Sequence, residues 1–239
     1  MKIIKDVTGK LISAYVEAPF DKGKEFLGAK GYRIISAQEM AKLRMQEGIN
    51  SAVSELGNWI REGIIYVPKK GKILTKNSPI MESSIEATDC HRNNEELYLT
   101  AEEVEKSLAD SVNLSDEAIP TERFADNEIT AFLFGKDAKA YGEFLREAGI
   151  KEMPVWLSSL KDEPYARQLW LRSFNHESNL IGYSRDLNRD NRVRGVSDSG
   201  EASTQKIQAY TSEQIKQALQ TLKLSKLESS IFSELNRKN

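Results

Sequence analysis

The sequence predicts an α+β fold with capped helices early in the chain and short antiparallel strands at its end. Four strand-like runs, 154–159, 168–174, 179–184 and 191–196, are separated by segments rich in Asn, Asp, Ser, Tyr and Arg. Such turn-forming residues between short apolar runs mark an antiparallel meander. Upstream, apolar residues at helical spacing follow good N-cap residues, Ser36 and Thr100. A hydrophobic fraction of 39% beside 29% charged residues supplies a core and places the chain among globular proteins rather than disordered or membrane ones.

In chain order, 3–18 reads as one or two strands turning at Gly9, and 21–31, rich in Gly and Lys, as loop or a short helical turn. Ser36 with Glu39 three residues on forms a capping box for a helix to about Gln46, which Gly48 ends. A second helix is expected over 51–61, where Val53, Leu56, Trp59 and Ile60 fall at helical spacing. Runs 64–67 and 72–75 flank Pro68-Lys69-Lys70-Gly71 and read as a hairpin. Over 76–122 apolar residues thin and Ser and Glu increase, so this stretch is expected as a surface insertion, with a helix over 101–110 boxed by Thr100 and Glu103. Apolar residues return at Phe124, and Tyr141, Phe144 and Leu145 stripe a helix over 137–148 closed by Gly149.

In the terminal runs, Leu169, Leu171 and Ser173 share one face, with Trp170, Arg172 and Phe174 on the other. Val193 and Val196 are apolar beside charged Arg192 and Arg194, and Gly195 shifts the spacing as a bulge would. Residues 197–204 form a polar linker. The tail carries two offset amphipathic stripes within 211–235. The expected division is therefore a domain over 1–196, with the insertion at about 76–122, and a linker and helical tail over 197–239.

Two segments carry a family resemblance. Gly31-Tyr32-Arg33-Ile34-Ile35-Ser36-Ala37-Gln38-Glu39-Met40 resembles the Gly-aromatic-Arg-Leu-Pro-Thr-x-x-Glu-Leu opening of C-type-lectin-like domains of the formylglycine-generating-enzyme and Fibrobacter-major-domain kind. Trp156-Leu157-Ser158-Ser159, followed by Ala166, Leu169 and Arg192-Val193-Arg194-Gly195-Val196, resembles their Trp-Ser-Ser, Ala-Trp, Val-Arg-x-Val ending. Ile35 departs from the pattern's Pro, the acid-rich stretch separates the halves, and the tail has no counterpart. The variable proteins of diversity-generating retroelements are built on this fold and end in the same way. The resemblance implies a C-type-lectin-like fold with two helices and a C-terminal antiparallel meander, plus the insertion and tail.

It also implies that the last strands present a solvent-facing ligand surface. In the retroelement-diversified branch, adenine-directed mutation leaves Asn, Ser, Asp, Tyr, His and Arg there, and Asn175, His176, Ser178, Asn179, Tyr183, Ser184, Arg185, Asn188, Asp190 and Asn191 have that composition. Tyr offers rigid amphipathic area, and Asn and Ser adaptable hydrogen bonding, as in antibody paratopes. The candidate ligand-binding residues are Tyr165, Trp170, Arg172, Asn175, His176, Asn179, Tyr183, Arg185, Asn188, Asp190 and Asn191. Tyr183 is the expected aromatic anchor and Arg172 or Arg185 the charged one.

Catalysis of the formylglycine-generating kind needs paired cysteines, and the related iron-dependent sulfoxide synthases need a His cluster. This chain has one Cys, Cys90, and two His, His91 and His176, so no catalytic residue, metal or cofactor is assigned. Cys90-His91 reads as an ordinary loop pair without the further ligands zinc needs. Asp186, Asn188, Asp190 and Asn191 offer calcium-type oxygens, but Arg185, Arg189 and Arg192 interleave them, which favours Asp–Arg pairing. Gly135-Lys136-Asp137 lacks the rest of a P-loop, and Asp162-Glu163 has no second acid placed for glycoside hydrolysis.

Segments 36–46 and 51–61 have a helix-turn-helix rhythm. The second offers Ser51, Ser54, Glu55, Asn58 and Arg61 with a single cation, and the net charge is −2, so nucleic acid is disfavoured. Trp59 and Trp156, among apolar neighbours, are expected in the core, while Trp170 divides between core and ligand platform. One cysteine and no signal or membrane-spanning run point to a cytoplasmic location and no membrane partner. The first functional reading is non-catalytic recognition of a protein or glycan. The second is a structural protein assembling through 211–235.

Overall fold

The computed structural model describes residues 1–174, 178–184 and 186–197. Contacts divide the chain into Met1–Gly200 and Glu201–Asn239. The second unit, and with it the stripes expected at 211–235, lies outside the described residues, as do Asn175, His176 and Arg185.

The helices are α1 (Phe20–Gly28), α2 (Ala37–Glu47), α3 (Ala52–Glu55), α4 (Pro79–Glu82), α5 (Ser84–Arg92), α6 (Ala101–Leu108), α7 (Glu128–Phe134) and α8 (Ala138–Glu147). The strands are β1 (Ser13–Ala18), β2 (Arg33–Ile34), β3 (Asn58–Val67), β4 (Gly71–Thr75), β5 (Leu97–Tyr98), β6 (Ser111–Asn113), β7 (Ile119–Pro120), β8 (Glu152–Met153), β9 (Val155–Trp156), β10 (Tyr165–Leu171), β11 (Leu180–Ile181) and β12 (Asn191–Val196). Among the described residues the main sheet runs β1-β12-β3-β10-β11-β9, with β2, β4, β5 and β6 added at its margins.

Strand β3 organises the domain. Ile60, Ile64 and Tyr66 enter one apolar cluster with α2, α7 and α8, while Trp59, Ile65 and Val67 enter a second with α1, α5 and α6. Alternation into two cores makes nearly every β3 side chain buried. Burial on both faces, with Asn58, Arg61 and Glu62 falling out of step with any strand alternation, is why the helix expected over 51–61 is wrong beyond α3. The helix-turn-helix geometry goes with it, since residues 58–61 of the would-be recognition helix belong to the sheet's central strand and only the four-residue α3 remains.

The capping box of α2 forms as the sequence dictates. Ser36 Oγ accepts from Glu39 N at 3.3 Å, Ser36 N donates to Glu39 Oε2 at 3.0 Å, and Gly48 ends the helix with a positive φ of 90°. The Thr100–Glu103 box of α6 and the 68–71 hairpin also form. Of the two readings of 21–31, loop or helical turn, the structure takes the helical one, with α1 running to Gly28. Its Gly23 lets the helix lie against β12, because a Cβ there would sit 2.6 Å from Val193 Cγ2.

The stretch 76–122 is woven in rather than carried on the surface. Its β5 pairs β10, its β6 pairs β4, and Ile80, Ala87, Leu97, Val112 and Ile119 are buried. The four terminal runs supply strands, but not as a simple meander. Strand β12 inserts between β1 and β3, and β11 runs parallel to β9. The two family-like segments meet directly, Ile34 opposite Gly195 and Arg33 opposite Val196.

Arg194 is wholly buried. Its guanidinium donates to Asp6 Oδ1 at 2.8 Å and Oδ2 at 2.6 Å, and to Ser13 Oγ at 3.2 Å. A charge is tolerated there because the carboxylate satisfies it bidentately.

Candidate ligand-binding cleft

A row of side chains crosses the sheet on one face. Strand register sets Val193 against Trp59, Trp59 against Trp170, Trp170 against Ile181, and Ile181 against Trp156. Residues paired across strands project to the same side. The row is buried at Trp59, 1% exposed, opens at Trp170, closes again at Ile181 and ends at Trp156, 52% exposed. Trp59 and Trp170 pack edge to face, with centroids 4.9 Å apart and planes at 78°.

Where the row becomes accessible, a cleft of about 270 Å³ opens, lined by Trp59, Trp170, Arg172, Ile181, Tyr183, Ser184, Asp186 and Asn191. Its polar side is a small fixed network. Asn191 Nδ2 donates to Asp186 O at 3.0 Å, Ser184 Oγ to Asp186 Oδ2 at 3.1 Å, and Arg189 Nε lies 3.0 Å from Asp186 Oδ1. Asp186 thus takes its arginine from the turn itself. On the floor, Trp59 Nε1 is buried and has no hydrogen-bond partner among the described residues. An indole N–H left in that state is ready for an acceptor.

The backbone beneath is held by Arg44, buried in α2. Its Nη2 donates to Arg172 O at 2.7 Å, and its Nη1 to Ser178 Oγ at 3.1 Å and Tyr141 Oη at 2.9 Å; its guanidinium lies 5.0 Å from the Phe174 ring centroid. Arg172 N donates to Asn179 O at 2.9 Å and Ser178 N to Ser173 O at 3.0 Å, closing the turn that begins after β10.

Of the candidate residues, Trp170, Arg172, Tyr183 and Asn191 come together in the cleft lining, Tyr183 half exposed. Asn188 is partly exposed in the 3₁₀ turn Asp186–Asn188, and Asp190 is exposed just after it. Two expectations are corrected. Tyr165 is completely buried, stacked on Tyr66 at 4.6 Å with its hydroxyl donating to Ser159 O at 2.5 Å. It starts β10 in the half of the strand whose odd positions feed the α2–α8 core. Asn179 is 5% exposed, and its backbone O accepts the turn-closing bond from Arg172 N.

Trp156 departs the other way. Expected in the core, it lies half exposed because β9 is a two-residue strand at the sheet's edge. The signal missed was cross-strand register, which only the fold reveals.

Cys90-His91 lies on α5, not in a loop. His91 is buried with Nε2 2.9 Å from Arg167 Nη1, and the Cys90 thiol is pushed above its ordinary value by desolvation and then by Glu86, Glu95 and Asp89. Neither points to nucleophilic chemistry. Among the described residues no group of three His, Cys, Asp or Glu is placed to hold a metal ion, and no helix is long and apolar enough to cross a membrane. The cleft offers ring faces, a guanidinium, a carboxylate, a hydroxyl and an amide.

Among solved structures, one described as showing accommodation of massive sequence variation in Nanoarchaeota by the C-type lectin fold matches with a TM-score of 0.58 at 18% identity, over 78% of this chain and 96% of that one. No protein-family model and no curated protein matches the chain. The architecture is that of the C-type lectin fold.

Proposed function

We propose that the protein is a non-catalytic recognition module that binds a protein or glycan through the cleft and the loops after β10, on a surface built to tolerate sequence change. One observation supports this most directly. The side chains that reach solvent there stand on a backbone held chiefly by Arg44 on Arg172 O, with Asn191 the one member of the set that itself bonds main chain, at Asp186 O. Changing Tyr183 removes none of those bonds, whereas changing a core residue would. Preorganised main chain with replaceable Tyr, Arg and Asn side chains is what an adaptable binding face requires. The solved structure of similar fold, described in terms of massive sequence variation, fits the same reading.

Randomising Arg172, Tyr183, Asn188 and Asp190 together in a display library, with Asn191 kept, tests it. Most members should remain folded, and binders to an arbitrary protein should emerge. Loss of folding across the library, comparable to randomising Ile64, Leu169 and Leu180, overturns the reading. Sequencing of the gene across its source population is the genetic counterpart, with substitutions concentrated at codons 172–191 as the expected result.

A further inference from the structure

A second concavity shares no lining residue with the cleft. It lies between α1 and the α4–α5 pair, measures about 860 Å³, and is strongly acidic. Its carboxylates come from Asp21, Glu25, Glu82, Glu86, Asp89 and Glu95, against Lys24 alone.

Some of that charge is already matched. Glu82 receives Lys106 Nζ at 2.6 Å, Asp89 is paired with Arg92, and Lys24 Nζ donates to Ser84 Oγ at 3.2 Å. Lys22 Nζ approaches Asp21 and Glu25 only to 3.7 and 3.8 Å. Glu86 and Glu95 have no ion pair among the described residues, and both are exposed.

Asp21 is the informative member. It lines the groove while only 6% exposed, and its buried Oδ1 has no hydrogen-bond partner among the described residues. A buried carboxylate oxygen without a donor is costly, so its retention points to a donor supplied from elsewhere. Cys90, in the same lining, registers the local field, since Glu86, Glu95 and Asp89 add to desolvation in raising its thiol. Ile85, 64% exposed, adds an apolar contact within the groove.

We infer that this groove is a docking site for an arginine-bearing basic segment of a partner protein. A guanidinium presents a planar fork of donors that suits a carboxylate with an unfilled oxygen, and its aliphatic stem suits Ile85. Carboxylates contributed from both α1 and α5 match several cations carried on one chain better than a single ion. The size lies within the usual range for ligand sites, roughly 300–1,000 Å³.

The test uses the full chain and a fluorescein-labelled nonapeptide alternating Arg with Leu, followed by fluorescence anisotropy. Binding should occur at low salt and weaken steeply as salt rises toward about 0.5 M. Glu86→Lys with Glu95→Lys should lower affinity by about tenfold or more. The same double reversal at Glu102 and Glu105, exposed on α6, should change it little, and Tyr183→Ala should leave it intact. Asp21→Asn should weaken the Arg peptide more than a Lys peptide of equal length. Absence of binding, or equal loss from the α6 control, overturns the site. Equal affinity for the Lys peptide, or displacement by spermine at matched charge, overturns the assignment to an arginine segment.

Discussion

Glu62 offers a quantitative check on the packing beneath α2. It lies in β3 at 2% exposure, and its Oε2 accepts from Ala37 N, at the first turn of α2, at 2.9 Å. Desolvation raises its carboxyl from 4.5 to about 7, against the lowering effects of that hydrogen bond and of Arg61, while Glu39 raises it further. Between those values the folded state retains a proton that the unfolded chain releases, so stability falls as pH rises through the window and levels off above about 7. At about 1.36 kcal/mol for each tenfold change in proton affinity, the loss is on the order of 3 kcal/mol. Glu62→Gln keeps the size and an acceptor for Ala37 N but cannot titrate. Urea unfolding of both proteins between about pH 4.5 and 8 gives the result by subtraction. The native protein should lose about 3 kcal/mol relative to the variant across that window. Subtraction removes the contribution of Glu39, which despite desolvation is held below its usual value by Arg33 and Ser36, and so loses its stabilisation only as pH falls. Parallel curves would refute the argument, because Glu62 would then be ionised or solvated in the folded state.

Three further substitutions probe the framework. Asp6→Ala strands the buried Arg194 guanidinium and should cost about 3–5 kcal/mol in urea unfolding, partly recovered when Arg194→Met is added. Arg44→Met leaves Tyr141 and Ser178 without their charged donor; a loss of about 2–3 kcal/mol should come with faster amide exchange over 178–184, against unchanged exchange in β4. Gly195→Ala brings a Cβ to 2.8 Å from Tyr32 Cβ and 3.1 Å from Arg33 O, and thermal unfolding should register about 1–3 kcal/mol of destabilisation from the displaced β2.

The legible parts of this chain were those with local chemical signatures. Ser36 and Glu39 define a helix start within four residues, and Gly71 with Lys69 marks a turn, Lys69 itself adopting a φ of 66°. What escaped depends on partners distant in sequence. Arg194 reads as a surface charge until Asp6, near the other end of the chain, is brought to it. Residues 58–61 read as helix because a strand buried on both faces has no period of its own. The same holds in the cleft. Tyr183 and Asn191 are legible as display residues by composition, while Tyr165, with the same chemistry, stacks on Tyr66 instead. Composition identifies which residues suit a binding face, and register decides which of them reach it.

On the proposed reading, topology is what would let such a face vary without cost to the core. The segment bearing the cleft residues leaves from β10 and returns through β12, and the sheet path brackets β10 between β3 and β11 and β12 between β1 and β3. Its departure and return are therefore fixed by interior strands whose side chains fill both cores. Between them, β11 contributes Leu180 and Ile181 to the ladder, and Ser173, Ser178, Asn179 and Leu187 are buried as well, so the side chains free of packing are those that reach solvent, Tyr183, Arg189 and Asp190. Had the same loops hung from an edge hairpin, each substitution would have acted on strand register as well as on the surface. Here register is set by Trp59, Val193 and Trp170, and side chains beyond them such as Tyr183 reach solvent.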